Sequence, residues 1–133
     1  MSKALIQMAN QSVQSIEENG IIMPGTIIRR FGCNLALNGN GVEIGGEGYF
    51  TIDAAVTVAP TAAGAVTVAL MDNGVQVPGA IAQGYQATAT QPLTLPIVAT
   101  VRKRCCDGAS VLTLVLQAGA GEVQNVSWRI VKE

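Results

Sequence analysis

GYFTIDAAVTVAP, residues 48–60, alternates without interruption. In an extended chain successive side chains point to opposite sides, so Phe50, Ile52, Ala54, Val56 and Val58 share one face and Tyr49, Thr51, Asp53, Ala55 and Thr57 the other. Helical winding would scatter the same apolar set around its axis. The reading is a long strand buried on one face, and its β-branched residues suit a pleated backbone. Residues 61–64 form a small-residue turn, after which Val66, Val68 and Leu70 alternate with Thr67, Ala69 and Met71. The two runs read as a hairpin. Asp72-Asn73-Gly74 groups residues that tolerate positive φ, which predicts a tight turn into Val75-Gln76-Val77 and a further hairpin, punctuated by Pro78-Gly79.

Residues 80–90 are polar and small around Tyr85 and read as an edge strand or loop. Leu93, Leu95, Ile97, Ala99 and Val101 then resume the period of two, with Pro92 and Pro96 placing this strand at an edge or a bulge because neither can donate to a ladder. RKRCCDG, residues 102–108, reads as a basic loop. Residues 111–116 form a nearly all-apolar strand and residues 118–121 a turn. Residues 123–131 close the chain with Val126, Trp128 and Ile130 on one side, as a strand central in its sheet. Towards the N-terminus, residues 4–9, 26–31, 35–37 and 42–44 are strand candidates, and residues 10–19 read as a loop or one short helix. The result is a single all-β domain over residues 1–133, of about eight to ten strands in a sandwich or barrel, with residues 1–25 as an N-terminal arm or docking segment. Phe50, Ile52, Val56, Val68, Leu70, Leu112, Leu114 and Trp128 are the expected core.

Composition narrows the function. The 133 residues are 49% hydrophobic but only 13% charged, about half the usual charged share, so a soluble monomer would be short of polar surface. More than one face must be covered, which points to an oligomer. The net charge of −1, with basic residues adjacent only at Arg29-Arg30 and Arg102-Lys103-Arg104, gives no electrostatic footprint for nucleic acid. The first dozen residues lack the apolar core of a secretory signal, and the apolar runs are too short to span a bilayer as a helix, so the expectation is a soluble chain made in the cytosol.

No histidine occurs, which removes Ser-His-Asp and Cys-His catalysis. Glu43 and Glu47 straddle a glycine-rich turn and read as solvated charges rather than as an acid–base pair. The clusters GNGVEIGGEG and AGAGE lack the Lys-Ser/Thr of a phosphate-binding loop and read as turns. Cys105 and Cys106 are adjacent and, without histidine, build no usual four-ligand zinc site within one chain; a disulfide to Cys33 or between subunits stays open. Asp53 reads as a solvent-facing or subunit-interface position, with calcium ligation lacking further placeable oxygens. Trp128 and Tyr49 read as core or interface anchors. The expectation is therefore no catalytic, cofactor-binding or metal residue, and no enzyme.

GEGYFTIDAAVTVAP, GAVTVALMDNGVQVPGA and ASVLTLVLQAGAGEVQNVSWRIVK together resemble the complement-type and tumour-necrosis-factor-like trimeric jelly roll, as found in phage virion proteins and at the tips of bacterial collagen-like surface proteins. Gly48, Ile52, Val66, Val68, Leu70, Asn73, Gly74, Val77, Pro78, Gly79, Leu112, Leu114 and Leu116 carry the resemblance, which covers residues 42–132 well and residues 1–41 loosely. It implies a two-sheet antiparallel jelly-roll sandwich, a homotrimer packed about an apolar axis, and no cofactor. The function it implies is that of a non-catalytic bacteriophage virion component of the capsid-decoration or head-fibre type, made in the host cytoplasm and partnered by itself and by capsid or other virion proteins. The alternative is a bacterial cell- or spore-surface display module that binds a glycan or protein. No Gly-X-Y collagen tract precedes the domain, so a trimer would have to associate through its own faces or the N-terminal segment. Neither nucleic acid nor membrane is an expected partner.

Overall fold

The computed structural model describes residues 3–104 and 108–132. Among them the chain forms twelve strands and no helix. In chain order they are β1 (Ala4–Asn10), β2 (Gln14–Ile16), β3 (Gly20–Ile22), β4 (Thr26–Phe31), β5 (Leu35–Asn38) and β6 (Gly41–Ile44). The second half contributes β7 (Gly48–Pro60), β8 (Gly64–Asp72), β9 (Val75–Gln86), β10 (Leu93–Lys103), β11 (Ser110–Ala118) and β12 (Gly121–Lys132). They build two antiparallel sheets packed face to face. The first runs β10-β7-β12-β1-β4, with β2 also on β12; the second runs β5-β6-β11-β8-β9, with β3 also on β11.

The expected core is the observed one: Phe50, Ile52, Val56, Val68, Leu70, Leu112, Leu114 and Trp128 are all fully buried between the sheets. Their phase follows from strand period alone, since every second residue of β7, β8, β11 and β12 must enter the shared interior. β12 lies between β7 and β1, as expected for a central strand, and a register shift between Val123 and Asn125 keeps both Val123 and Val126 inward. β10 is an edge strand, which is why Pro96 is tolerated within it. Asn73 (φ 50°) and Gly74 (φ 85°) make the tight turn of the β8–β9 hairpin.

Four features differ from the sequence reading. β7 and β8 are not a hairpin: β7 pairs with β10 and β12 in the first sheet, whereas β8 pairs with β11 and β9 in the second. The small residues 61–64 turn the chain across the interior, so the two apolar faces meet face to face instead of lying side by side. Residues 10–19 hold no helix but the short strand β2, and β2 and β3 take the strand total above the expected eight to ten. The basic stretch is not wholly loop, because β10 continues through Arg102 and Lys103. Pro78-Gly79 does not end its strand either: β9 runs on to Gln86, absorbing the interruption as a register shift opposite residues 69–71.

The segment expected as an N-terminal arm contributes β1, β2 and β3 to the two sheets. Gly25 (φ 89°) makes the return from β3 to β4 possible, because a Cβ there would strike the Ala9 carbonyl oxygen and the Asn10 side chain.

Trp128 is fully buried, yet its indole Nε1 has no hydrogen-bond partner among the described residues. An orphaned buried donor costs about 1–3 kcal/mol, which offsets part of the packing gain of the ring. Trp128→Phe, which deletes the donor and keeps an aromatic ring, is therefore expected to destabilise far less than the roughly 3–5 kcal/mol of Trp128→Ala. Urea denaturation followed by circular dichroism at fixed protein concentration measures both; a loss for Trp128→Phe as large as that for Trp128→Ala would overturn the expectation.

Candidate functional site

Where one face of a sandwich is spent on the core, the other face carries whatever the fold does. On the first sheet the outward residues line up in rows fixed by strand register. One row reads Thr100-Thr51-Val131-Leu5-Phe31 across β10, β7, β12, β1 and β4. The next reads Val98-Asp53-Arg129-Gln7-Arg29, and a third Pro96-Ala55-Ser127-Ala9-Thr26. Val98, Phe31 and Tyr49 are exposed on this face at 68%, 56% and 50%, against the rule that large apolar side chains seek cover. Across the central strands the row Ala55-Ser127-Ala9 is small-sided, whereas the row Asp53-Arg129-Gln7 is polar and long-chained. By strand spacing, five strands and three rows measure roughly 19 Å by 14 Å.

One ion pair interrupts it. Arg129 Nη2 donates to Asp53 Oδ2 at 2.7 Å, across the β7–β12 pair, with side chains about half exposed. A shallow depression surrounds the pair, lined by Gln7, Ala55, Pro96, Val98 and Ser127. Asp53 thus takes the surface position expected of it, with the Arg129 guanidinium as its ion-pair partner. At the rim of the face, Arg102 lies over the Tyr49 ring at 5.6 Å from its centroid. Trp128 belongs to the core, whereas Tyr49 is half exposed on this surface.

The second sheet presents a narrower apolar row, Ile81-Ala69-Val115-Ile21 across β9, β8, β11 and β3. It is bordered by Gln83-Thr67 on one side and by Gln76-Met71-Thr113 on the other. Glu43 lies on β6 opposite Val111, where Asn38 Nδ2 donates to its carboxylate at 3.4 Å, and Glu47 is exposed beyond the end of β6. Among the described residues no group of three His, Cys, Asp or Glu side chains is placed to hold a metal ion.

No protein-family model and no curated protein matches the chain. Solved structures do. Murine APRIL at pH 5.0 superposes with a TM-score of 0.77 at 11% identity, covering 99% of this chain and 100% of its own. The globular domain of a zebrafish complement 1qA protein gives 0.69 at 7% identity, over 95% and 94% of the two chains. The PRD1 vertex protein P5 gives 0.61 at 10% identity, over 98% and 96%. The chain has the complement-type, tumour-necrosis-factor-like jelly-roll fold.

Cys33 is exposed; Cys105 and Cys106 lie outside the described residues. That the adjacent thiols hold no zinc remains a proposal from their chemistry, and elemental analysis of the purified protein is expected to find well under one zinc per chain. Stoichiometric zinc would overturn it.

Proposed function

We propose that the chain is a non-catalytic, homotrimeric structural component of a bacteriophage virion, of the capsid-decoration or head-fibre type. The observation that carries the reading is the outward face of the first sheet, where Phe31, Val98 and Tyr49 are exposed around the Asp53–Arg129 ion pair. Left in water, such a face is an aggregation hazard; covered by a second copy, it accounts for a chain that is 49% hydrophobic and 13% charged. In a closed three-fold ring each subunit offers this face to one neighbour and a different patch to the other, so every copy has its face covered and growth stops at three. The likeness to a vertex protein of PRD1 supports the virion as the setting.

Two experiments test the reading. Light scattering across a size-exclusion peak is expected to give three chains of 13.7 kDa, about 41 kDa, at all micromolar concentrations. A peak at the mass of one chain would refute the trimer. Antibodies raised against the purified protein are expected to label banded virus particles; labelling of the bacterial envelope alone would favour surface display.

The ion pair gives a sharper check on the face. In an isolated chain an exposed pair of this kind is worth about 0–1 kcal/mol, and losing one member changes little. Covered by a neighbouring subunit, a lone Asp53 or Arg129 would be a desolvated charge. Arg129→Met and Asp53→Leu are each expected to raise the trimer's dissociation concentration at least tenfold, and the double substitution to restore much of the loss. Singles without effect would remove this face from the interface.

A further inference from the structure

β4 closes one edge of the first sheet. It pairs with β1 alone, and all six of its residues, Thr26–Phe31, are exposed. Half of the backbone groups of an edge strand point along the sheet plane away from its neighbour, so β4 presents N–H and C=O groups with no ladder partner. Neither face of the strand is covered. Ile27 and Arg30 stand opposite the buried Met8 and Ile6, in the inward phase, yet Ile27 is 41% exposed. Arg29 and Phe31 stand in the outward phase, and Ile28, 52% exposed, lies at the register shift between them and Ile27.

The other edges are shorter or interrupted. β2 and β3 are three residues long and β5 four, β10 carries Pro96, and β9 carries Pro78 and a register shift. β4 holds no proline, and it is tied down at both ends. As Gly25 lies against Ala9 and Asn10 on one side, so Gly32 (φ 81°) lies against Lys3 and Ala4 on the other, where a Cβ would strike the Lys3 carbonyl oxygen. Arg30 Nε also donates to the Leu35 carbonyl at 2.9 Å. The edge is therefore a preformed template rather than a fraying end.

Charge decides what the template accepts. Arg29 and Arg30 are consecutive, so their side chains leave the strand on opposite faces. Neither makes an ion pair among the described residues, and the only carboxylates in residues 1–42 are Glu17 and Glu18, which lie in the stretch between β2 and β3. Pairing with β4 of a second copy would gather four guanidiniums on two short strands, which disfavours self-association at this edge. Carboxylates at two adjacent positions of an incoming strand answer both arginines, one on each face.

We infer that β4 is a docking edge for an extended segment of another protein, which adds a further strand to the first sheet. The segment carries two consecutive carboxylate residues flanked by apolar β-branched ones, the latter beside Ile27, Ile28 and Phe31. Main-chain hydrogen bonds to β4 hold it, and the carboxylates opposite Arg29 and Arg30 set its register. The added strand lies in the plane of the sheet, at the edge remote from β10, so the inference rests on neither the trimer nor the virion setting.

The probe is a fluorophore-labelled peptide, Thr-Val-Glu-Glu-Val-Thr with blocked ends, titrated with the full chain and read by anisotropy. The same peptide with Lys-Lys at its centre is expected to bind at least about tenfold more weakly, because two attractive cross-strand pairs become repulsive. Arg29→Glu combined with Arg30→Glu should reverse that preference, a readout that mere loss of folding cannot produce. N-methylation of alternate peptide residues should abolish binding in one phase and spare it in the other, since an added strand pairs along a single edge. Hydrogen exchange over residues 26–31 should slow when the Glu-Glu peptide is bound. No binding of that peptide at millimolar concentration, equal binding of its Lys-Lys counterpart, or exchange over residues 26–31 that is already slow without peptide would each overturn the docking edge.

Discussion

Everything in this fold follows from one shared apolar layer between two sheets. Each long strand alternates, so each has one face that must be hidden, and the only cover available within the chain is the corresponding face of the other sheet. The chain therefore cannot simply run up and down one sheet. It crosses between sheets repeatedly, among other places at residues 61–64 from β7 to β8, from β9 to β10 and from β11 to β12. Strands adjacent in sequence become opposed in space. The largest fully buried side chains, Trp128 and Phe50, come from the first sheet, while Leu70, Leu112, Leu114 and Leu116 meet them from the second.

That constraint explains what sequence shows and what it hides. Phase is local: Phe50, Ile52 and Val56 declare their common face whichever strand lies beside them, and the core was legible for that reason. Pairing is not local. Residues 61–64 are as compatible with a hairpin as with a crossing, and only the presence of β10, β12 and β11 as competing partners decides between them. The short strands β2 and β3 escape notice because three residues carry too little alternation to register; they exist because β12 and β11 extend beyond β1 and β6 and leave ladder groups for them to pair.

The surface was legible only in outline. Excess apolar composition implies a covered face without saying which, and register is needed to see that Leu5, Val131 and Thr51 stand in one row. Asp53 was recognisable as a surface position, whereas Arg129, 76 positions away in sequence, became its partner through the β7–β12 pairing. The buried lysines were hidden for a different reason. Lys103 and Lys132 sit at strand ends, where a basic residue normally turns to water, and nothing in RKRCC or VKE marks which of these residues the strands will cover.

In the proposed assembly the outward face of the first sheet supplies two kinds of contact: exposed Phe31, Val98 and Tyr49 offer apolar area, and the Asp53–Arg129 pair offers fixed charge that a second surface must match. Asp53 and Arg129 extend from the adjacent strands β7 and β12 of the same sheet that carries Val98 on β10 and Phe31 on β4. The apolar area and the charge therefore keep their relative positions through the ladders that join β10, β7, β12, β1 and β4 rather than through any contact between the side chains themselves.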